Sequence, residues 1–150
     1  MLSKPVFVEY RGAHMDIFIH DTSNANWQTW LIALRSWGYS LAFFVDSTPA
    51  DTPSSRVEMR DIRESASPTL IVQVGNVDLR VKFFEETKIE IDFFPNDVSE
   101  TAFEGLCDFM RKCSDLLSKR VTMSVPSSRE NPFLQKLPWL PEIEFLEAGI

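Results

Sequence analysis

Residues 70–93 read LIVQVGNVDLRVKFFEETKIEIDF, and apolar side chains alternate with polar ones through most of this stretch. A period of two is typical of β-strands that bury one face. Gly75 and Asn76 separate the first two alternating segments, and two residues of this kind are a strong hairpin signal. The stretch therefore predicts three antiparallel strands in succession, with the first two joined by a tight turn.

Side chains on both faces of the predicted sheet indicate how the second and third of these strands pair. Pairing Val81 with Ile91 brings apolar side chains together on one face. The same register gives two pairs of opposite charge on the other face: Arg80 with Asp92, and Lys82 with Glu90. Cross-strand pairs of both kinds stabilise a sheet, so we predict this register.

A helix and a further strand are predicted after residue 93. Asp97 and Glu100 match the capping-box pattern that marks the start of a helix. Apolar residues then recur at helical spacing and predict one buried stripe: Phe103, Leu106, Cys107, Met110, Cys113 and Leu117. Residues 120–125 are the predicted returning strand, which ends at Pro126.

Residues 5–45 show the same order of elements. A hairpin of residues 6–10 and 15–19 is predicted, with Val6 opposite Ile17. The helix stripe that follows is Trp27, Trp30, Leu31, Leu34 and Trp37, with Gly38 at the C-terminal cap. Residues 41–45 form the returning strand.

We therefore predict an α+β fold in which residues 1–150 form one domain. Two ββαβ-like units, residues 5–45 and 69–125, suggest an internal duplication. The predicted sheet is mainly antiparallel, and two long amphipathic helices cover one of its faces. The pattern leaves open whether the units form one continuous sheet or two.

Two further segments connect and follow the units. Residues 46–68 are the predicted linker, and within them residues 56–65 fit a short helix or an edge strand. Residues 127–150 form the C-terminal tail. It carries too many apolar side chains for a free segment, so we expect it to pack on the domain.

The charge balance is acidic, with 15 Lys and Arg against 22 Asp and Glu and a net charge of −7. This balance disfavours nucleic acids and anionic membranes as partners. Cys107 and Cys113 lie six residues apart and therefore well apart around the axis of the predicted helix, at about 100° per residue, so neither a disulfide nor a shared metal site is expected. Unpaired cysteines fit a reducing, cytoplasmic setting.

The strongest candidate for catalysis or metal binding is His14-x-Asp16-x-x-x-His20 in one strand. Its side chains share a face, but the two histidines would lie about 20 Å apart, too far to hold one ion. We therefore predict no catalytic residue, no metal site and no cofactor. Asp46 and Asp51, at a strand end and in the following loop, are the acidic residues that a hydrolase would use.

Aromatic residues also lie on the sheet face opposite the predicted helices. Aromatic and charged side chains on this face are Phe7, Phe18, Phe44, Glu9, His14 and Asp16. Solvated sheet faces are usually more polar than this. Cover by the C-terminal tail, self-association as a homodimer and a partner-binding face with an acidic rim all stay open as explanations. Asp46, Asp51 and Trp139 complete the predicted partner-binding residues.

The sequence favours a non-enzymatic cytoplasmic module that binds a basic protein. Small immunity proteins of bacterial toxin systems neutralise basic partners by charge complementarity, and the size and charge of this chain are analogous. No residue motif ties the chain to a particular family. Two alternatives stay open: a small hydrolase that uses Asp46, Asp51 and His14 or His20, and a self-associating structural or chaperone subunit.

Overall fold

The computed structural model describes residues 14–83, 85–125 and 130–146, which have a mixed α+β fold. Nine strands occur in these residues: β1 Met15–His20, β2 Ser40–Val45, β3 Thr48–Pro49, β4 Pro68–Val74, β5 Val77–Lys82, β6 Lys88–Phe93, β7 Val121–Ser124, β8 Leu134–Lys136 and β9 Glu144–Phe145. Three α-helices accompany them: α1 Asn24–Ser36, α2 Arg56–Arg63 and α3 Glu100–Leu117.

These nine strands form one sheet in the order β3-β2-β4-β5-β6-β1-β7-β8-β9, and every neighbouring pair is antiparallel. The predicted two-residue turn between β4 and β5 is confirmed, because Val74 pairs with Val77. The predicted register of β5 with β6 is also confirmed, because Val81 pairs with Ile91. Gly75 adopts a φ of +62° in the turn between β4 and β5, a conformation that costs glycine little. The sheet is continuous, which answers the question left open by the sequence.

One face of the sheet, here called the inner face, carries the core beneath the helices. Helix α3 contacts β4, β7 and β8, while α1 contacts α3 and β2. Both predicted helix stripes are buried except for the half-buried Trp37. Full burial of a Leu, Ile or Phe side chain contributes about 1.5–3 kcal/mol, so this layer supplies most of the driving force for folding. The opposite face is called the outer face.

The helix ends follow their local sequences. Ser23 caps α1 and forms a capping box with Asn26, and Gly38 follows the helix with a φ of +84°. Helix α3 begins at Glu100, and the Ser99 hydroxyl accepts a hydrogen bond from the Ala102 amide. The predicted capping box that starts at Asp97 is therefore wrong, because the serine two residues later provides the cap.

The first predicted unit differs from the second. Strand β1 is paired along both edges, since Ile17 lies opposite Ile91 of β6 and Met123 of β7. Val6, the predicted partner of Ile17, lies outside the described residues. Alternating polarity identifies the faces of a strand but not its neighbours.

The connections through the two longer helices also differ. Helix α3 links β6 to β7 across the single strand β1, whereas α1 links β1 to β2 across β6, β5 and β4. The internal duplication is not confirmed. The detail of two long helices is not confirmed either, since the described residues contain three α-helices of 13, 8 and 18 residues.

The linker and the tail both contain regular structure. Asp46 and Ser47, with φ values of 49° and 67°, form a two-residue hairpin turn between β2 and β3. Residues 56–63 are helical rather than extended, with Ser55 as the N-cap. In the tail, β8 and β9 extend one edge of the sheet beyond β7.

Candidate functional site

The outer face presents charged side chains because alternate residues of β1, β5, β6 and β7 point there. Asp16 lies opposite Asp92 and His20 lies opposite Lys88 across the β1–β6 pair. Two groups of these side chains, at opposite ends of β1, have different chemistry.

The first group is the Asp92 cluster, formed by Asp92, His14, Arg80 and Lys82. The Asp92 side chain is 5% exposed, and its carboxylate lies 2.9 Å from Arg80 Nε and 3.2 Å from Lys82 Nζ. His14 Nδ1 is 3.6 Å from the same carboxylate, and His14 Nε2 lies 2.8 Å from the Arg80 guanidinium. Phe94 packs against His14 and Arg80. One buried carboxylate thus compensates two cations.

The second group is the His20 pocket, a cavity of about 300 Å³. It is lined by Phe18, His20, Lys88, Arg120, Thr122, Glu130 and Pro132. His20 Nε2 lies 2.8 Å from Thr122 Oγ1, and the Lys88 ammonium lies 4.9 Å from the centre of the Phe18 ring. Burial, then the charges of Arg120 and Lys88, lower the pKa of His20 from 6.5 to about 4, while Asp21 acts in the opposite direction. The imidazole is therefore neutral at pH 7.

The predicted residues on the outer face fall into three groups. Phe7 and Glu9 lie outside the described residues. Asp16 and Phe18 are each only 3% exposed, so they offer little surface to a partner. Their role in partner binding stays a prediction. Phe44 is half-buried beside Ser47 and Thr69 at the other end of the sheet.

Asp46 and Asp51 are both exposed. Asp46 Oδ1 accepts a hydrogen bond of 2.9 Å from the Ser67 amide, which fits a structural role in its turn. Strand β2 lies four positions from β1 in the sheet, a distance of about 19 Å at the usual strand spacing. The fold does not bring these carboxylates near His14 or His20, so this geometry gives the hydrolase alternative no support.

Neither cysteine offers an activated thiol. Cys107 and Cys113 are free and buried on the inner face of α3. Burial is the main cause that raises the pKa of both thiols, to about 11 for Cys107. In the described ranges, no three His, Cys, Asp or Glu side chains are grouped as metal ligands.

The C-terminal segment of residues 137–146 places apolar side chains in solvent. We call Trp139, Leu140 and Phe145 the tail patch, and Trp139 is 73% exposed. Two ion pairs hold the segment beside α3: Lys136 with Asp115 at 3.3 Å, and Glu142 with Arg111 at 3.8 Å. Phe145 also packs against Phe103 of α3. The carboxylates of Asp115 and Glu142 remain largely exposed, at 68% and 80%.

Sequence reasoning identified Trp139 but not its apolar neighbours as a group, and it missed the cations beside His20. Lys88 and Arg120 lie far from His20 in the chain and meet it only because β6 and β7 flank β1. A correct β1–β6 register would have placed Lys88 opposite His20, and no local signal indicates that register.

The chain matches no protein-family model, and comparison with curated proteins and with solved structures finds no significant match. None of the helices in the described ranges combines the length and apolarity needed to cross a bilayer. The structural features that could indicate a function are the Asp92 cluster, the His20 pocket and the tail patch.

Proposed function

We propose that the protein is a non-enzymatic, cytoplasmic protein-binding module that docks a basic partner through the tail patch. The observation that carries this proposal is the 73% exposure of Trp139, the largest apolar side chain so exposed in the described residues. Tryptophan is enriched among the residues that dominate binding energy in interfaces. Neighbouring apolar side chains in solvent are also typical of interaction sites.

Charge complementarity favours a basic partner. The carboxylates of Asp115 and Glu142 that pair the tail with α3 remain 68% and 80% exposed, and the whole chain has a net charge of −7. A partner with an apolar pocket bordered by Lys and Arg would bury Trp139 and approach faster in this field. An immunity-type protein that neutralises a basic toxin is one such arrangement. Free cysteines agree with the proposed reducing compartment.

The test uses Trp139→Ala with Ile32→Ala as the matched control. Ile32 is 48% exposed and belongs to α1 rather than to the tail, so its truncation also removes exposed apolar surface. Wild-type protein is used to capture partners from a native extract, each captured protein is identified and purified, and its Kd is measured by calorimetry. We expect Trp139→Ala to raise the Kd of a basic partner at least about tenfold, or about 1.4 kcal/mol, and Ile32→Ala to leave it unchanged.

Two outcomes would contradict the proposal. One is that only acidic proteins are captured. The other is that Trp139→Ala and Ile32→Ala bind the purified partner as tightly as wild type. A Kd that does not rise with salt would also contradict the role of Asp115 and Glu142, because surface charge attraction is screened.

A homodimer is a second candidate, favoured by the position of β9 at the edge of the sheet. Edge strands present unpaired backbone groups that pair readily with another chain, and Phe145 of this strand is exposed. Sedimentation of wild type and Trp139→Ala separates the candidates. A dimer that Trp139→Ala dissociates would show that the tail patch binds a second copy instead of a basic partner.

A further inference from the structure

We propose that the His20 pocket binds a phosphoryl group, either free phosphate or the head of a small phosphomonoester. This site is distinct from the tail patch and does not depend on the proposed protein-binding function. The donors that would face the ligand are Lys88, Arg120 and the His20–Thr122 pair, and the Phe18 ring forms one wall.

Three strands build the pocket. The β1–β6 register sets His20 opposite Lys88, and the β1–β7 register sets Phe18 opposite Thr122. The His20 amide donates a 3.0 Å hydrogen bond to the Arg120 carbonyl, which places Arg120 at the same end of β1. Lys88, His20 and Thr122 lie in regular strands and Arg120 directly precedes β7, so the sheet fixes the backbone of each donor before any ligand arrives, which lowers the entropic cost of binding.

The cations in the pocket lack a carboxylate partner within the described ranges. Lys88 contacts the Phe18 ring, and Arg120 donates to Gln135 Oε1 through Nε at 2.9 Å, a bond that does not use its terminal guanidinium nitrogens. Among the described residues, Glu130 is the one carboxylate that lines the cavity, and it is exposed. Burial is the main cause of the lowered pKa of His20, and the charges of Arg120 and Lys88 lower it further, in a chain that is acidic overall.

A second basic cavity offers an anion less favourable donors. That cavity, of about 450 Å³, is lined by Arg63, Arg80 and Lys82 among others. Arg80 and Lys82 are already compensated by Asp92, and Arg63 donates to the Phe83 carbonyl at 2.9 Å. An anion would gain less there, because each cation has a competing acceptor.

The size and lining of the His20 pocket indicate a small ligand. A volume of about 300 Å³ is at the lower end of the range for ligand pockets. A phosphoryl group suits the donors, since Arg binds its oxygens in a planar fork and Lys binds them as a point charge. Pro132, a half-buried residue of the wall, would contact an apolar group attached to the phosphate.

The test is an NMR titration of the full chain with inorganic phosphate and, separately, with phenyl phosphate, both at constant ionic strength set by sodium chloride. The chain has only two histidines, and about 20 Å of strand separates them, so His14 serves as an internal control. We expect saturable shifts of the His20 ring signals and no change at His14. Bound phosphate would add negative charge beside Lys88, Arg120, Asp21 and Glu130, so the pKa of His20 should rise.

Variants test the assigned donors. We expect Arg120→Gln to weaken binding of phosphate about tenfold or more, and Glu130→Gln to tighten it severalfold, because each changes one charge close to the ligand. Arg60→Gln, which changes an exposed arginine on α2, should leave binding unchanged. Glu130→Gln keeps every proposed donor, so it remains informative if Arg120→Gln does not fold.

The titrations distinguish a phosphomonoester site from a site for free phosphate, and both from the absence of a site. Tighter binding of phenyl phosphate than of phosphate would identify a phosphomonoester site, and equal or weaker binding would identify a site for free phosphate. Non-saturable shifts, equal shifts at His14 and His20, or Glu130→Gln binding no more tightly than wild type would overturn the proposal. None of these results depends on whether the tail patch binds a protein.

Discussion

The two ends of β1 carry the same residue type on the same strand in opposite electrostatic settings. His14 lies beside the buried carboxylate of Asp92, which also holds Arg80 and Lys82. His20 lies between Lys88 and Arg120, with Asp21 as a weaker opposing charge. The difference teaches that the neighbouring strands, and not β1 itself, determine the sign of the charge on each part of the outer face.

The largest expected effect comes from removing the acid of the Asp92 cluster. Asp92→Asn should lower the free energy of unfolding by about 2 kcal/mol, because two cations then lose a buried, hydrogen-bonded partner. The loss stays below that of a fully buried pair, since Arg80 and Lys82 are about one-third exposed to water. Urea denaturation measures it, with Asp78→Asn on the same sheet as the exposed control. Equal losses for both variants would show that the cluster does not stabilise the fold.

A fall in pH should reduce the stability contributed by His20 at the other end of β1. The pKa of His20 is about 4 in the folded state and 6.5 in the unfolded state, so the unfolded chain takes up the proton first as pH falls. The stability supplied by neutral His20 is complete above pH 6.5 and is lost as pH falls from about 6.5 to about 4. After allowance for solvent screening of the half-buried ring, we expect a loss of about 1 kcal/mol between pH 7 and pH 5.

His20→Gln checks this pH dependence because glutamine can keep a hydrogen bond to Thr122 but does not titrate. Denaturation curves at pH 7 and pH 5 should show a smaller decrease for the variant than for wild type. An identical decrease in both proteins would mean that His20 does not have a lowered pKa, and the contrast between the two ends of β1 would then be lost.

The smallest effect compares one substitution at two lysines. Lys82→Met removes a partner of Asp92 and should cost about 1 kcal/mol of stability. Lys88→Met should change stability by less than about 0.5 kcal/mol, because methionine still packs on Phe18 and one positive charge leaves a basic pocket. Thermal unfolding of the two variants at equal ionic strength decides the comparison. A larger loss of stability for Lys88→Met than for Lys82→Met would mean that Lys88, and not Lys82, is the lysine stabilised by an acidic partner.

Sequence patterns predicted the local parts of this fold and missed its long-range parts. The Gly75 turn and the pairing of Val81 with Ile91 were predictable because turn chemistry and both strand faces agreed over a short span. The partners of β1 were not, since the alternation in residues 15–19 fits any neighbour with an apolar inner face. The His20 pocket depends on those partners, so its cations could not be grouped from sequence.

The C-terminal tail was also predicted in its local features but not in its long-range contacts. Its apolar content predicted packing on the domain, and β8 and β9 do join the sheet edge. The sequence also indicated Trp139 as a contact residue, and its high exposure is compatible with that role. The contacts that hold the tail beside α3, such as the Glu142–Arg111 ion pair, depend on the position of α3 relative to the tail, which no local pattern records.

The central position of β1 has a consequence for how the chain folds. His20 contacts Thr122, which lies 102 residues further along the chain, so β1 cannot complete its pairing until most of the sequence is available. Contacts of such large sequence separation are associated with slow folding. During synthesis on the ribosome, Met15, Ile17 and Ile19 would therefore remain open to chaperones and to aggregation until β6 and β7 emerge.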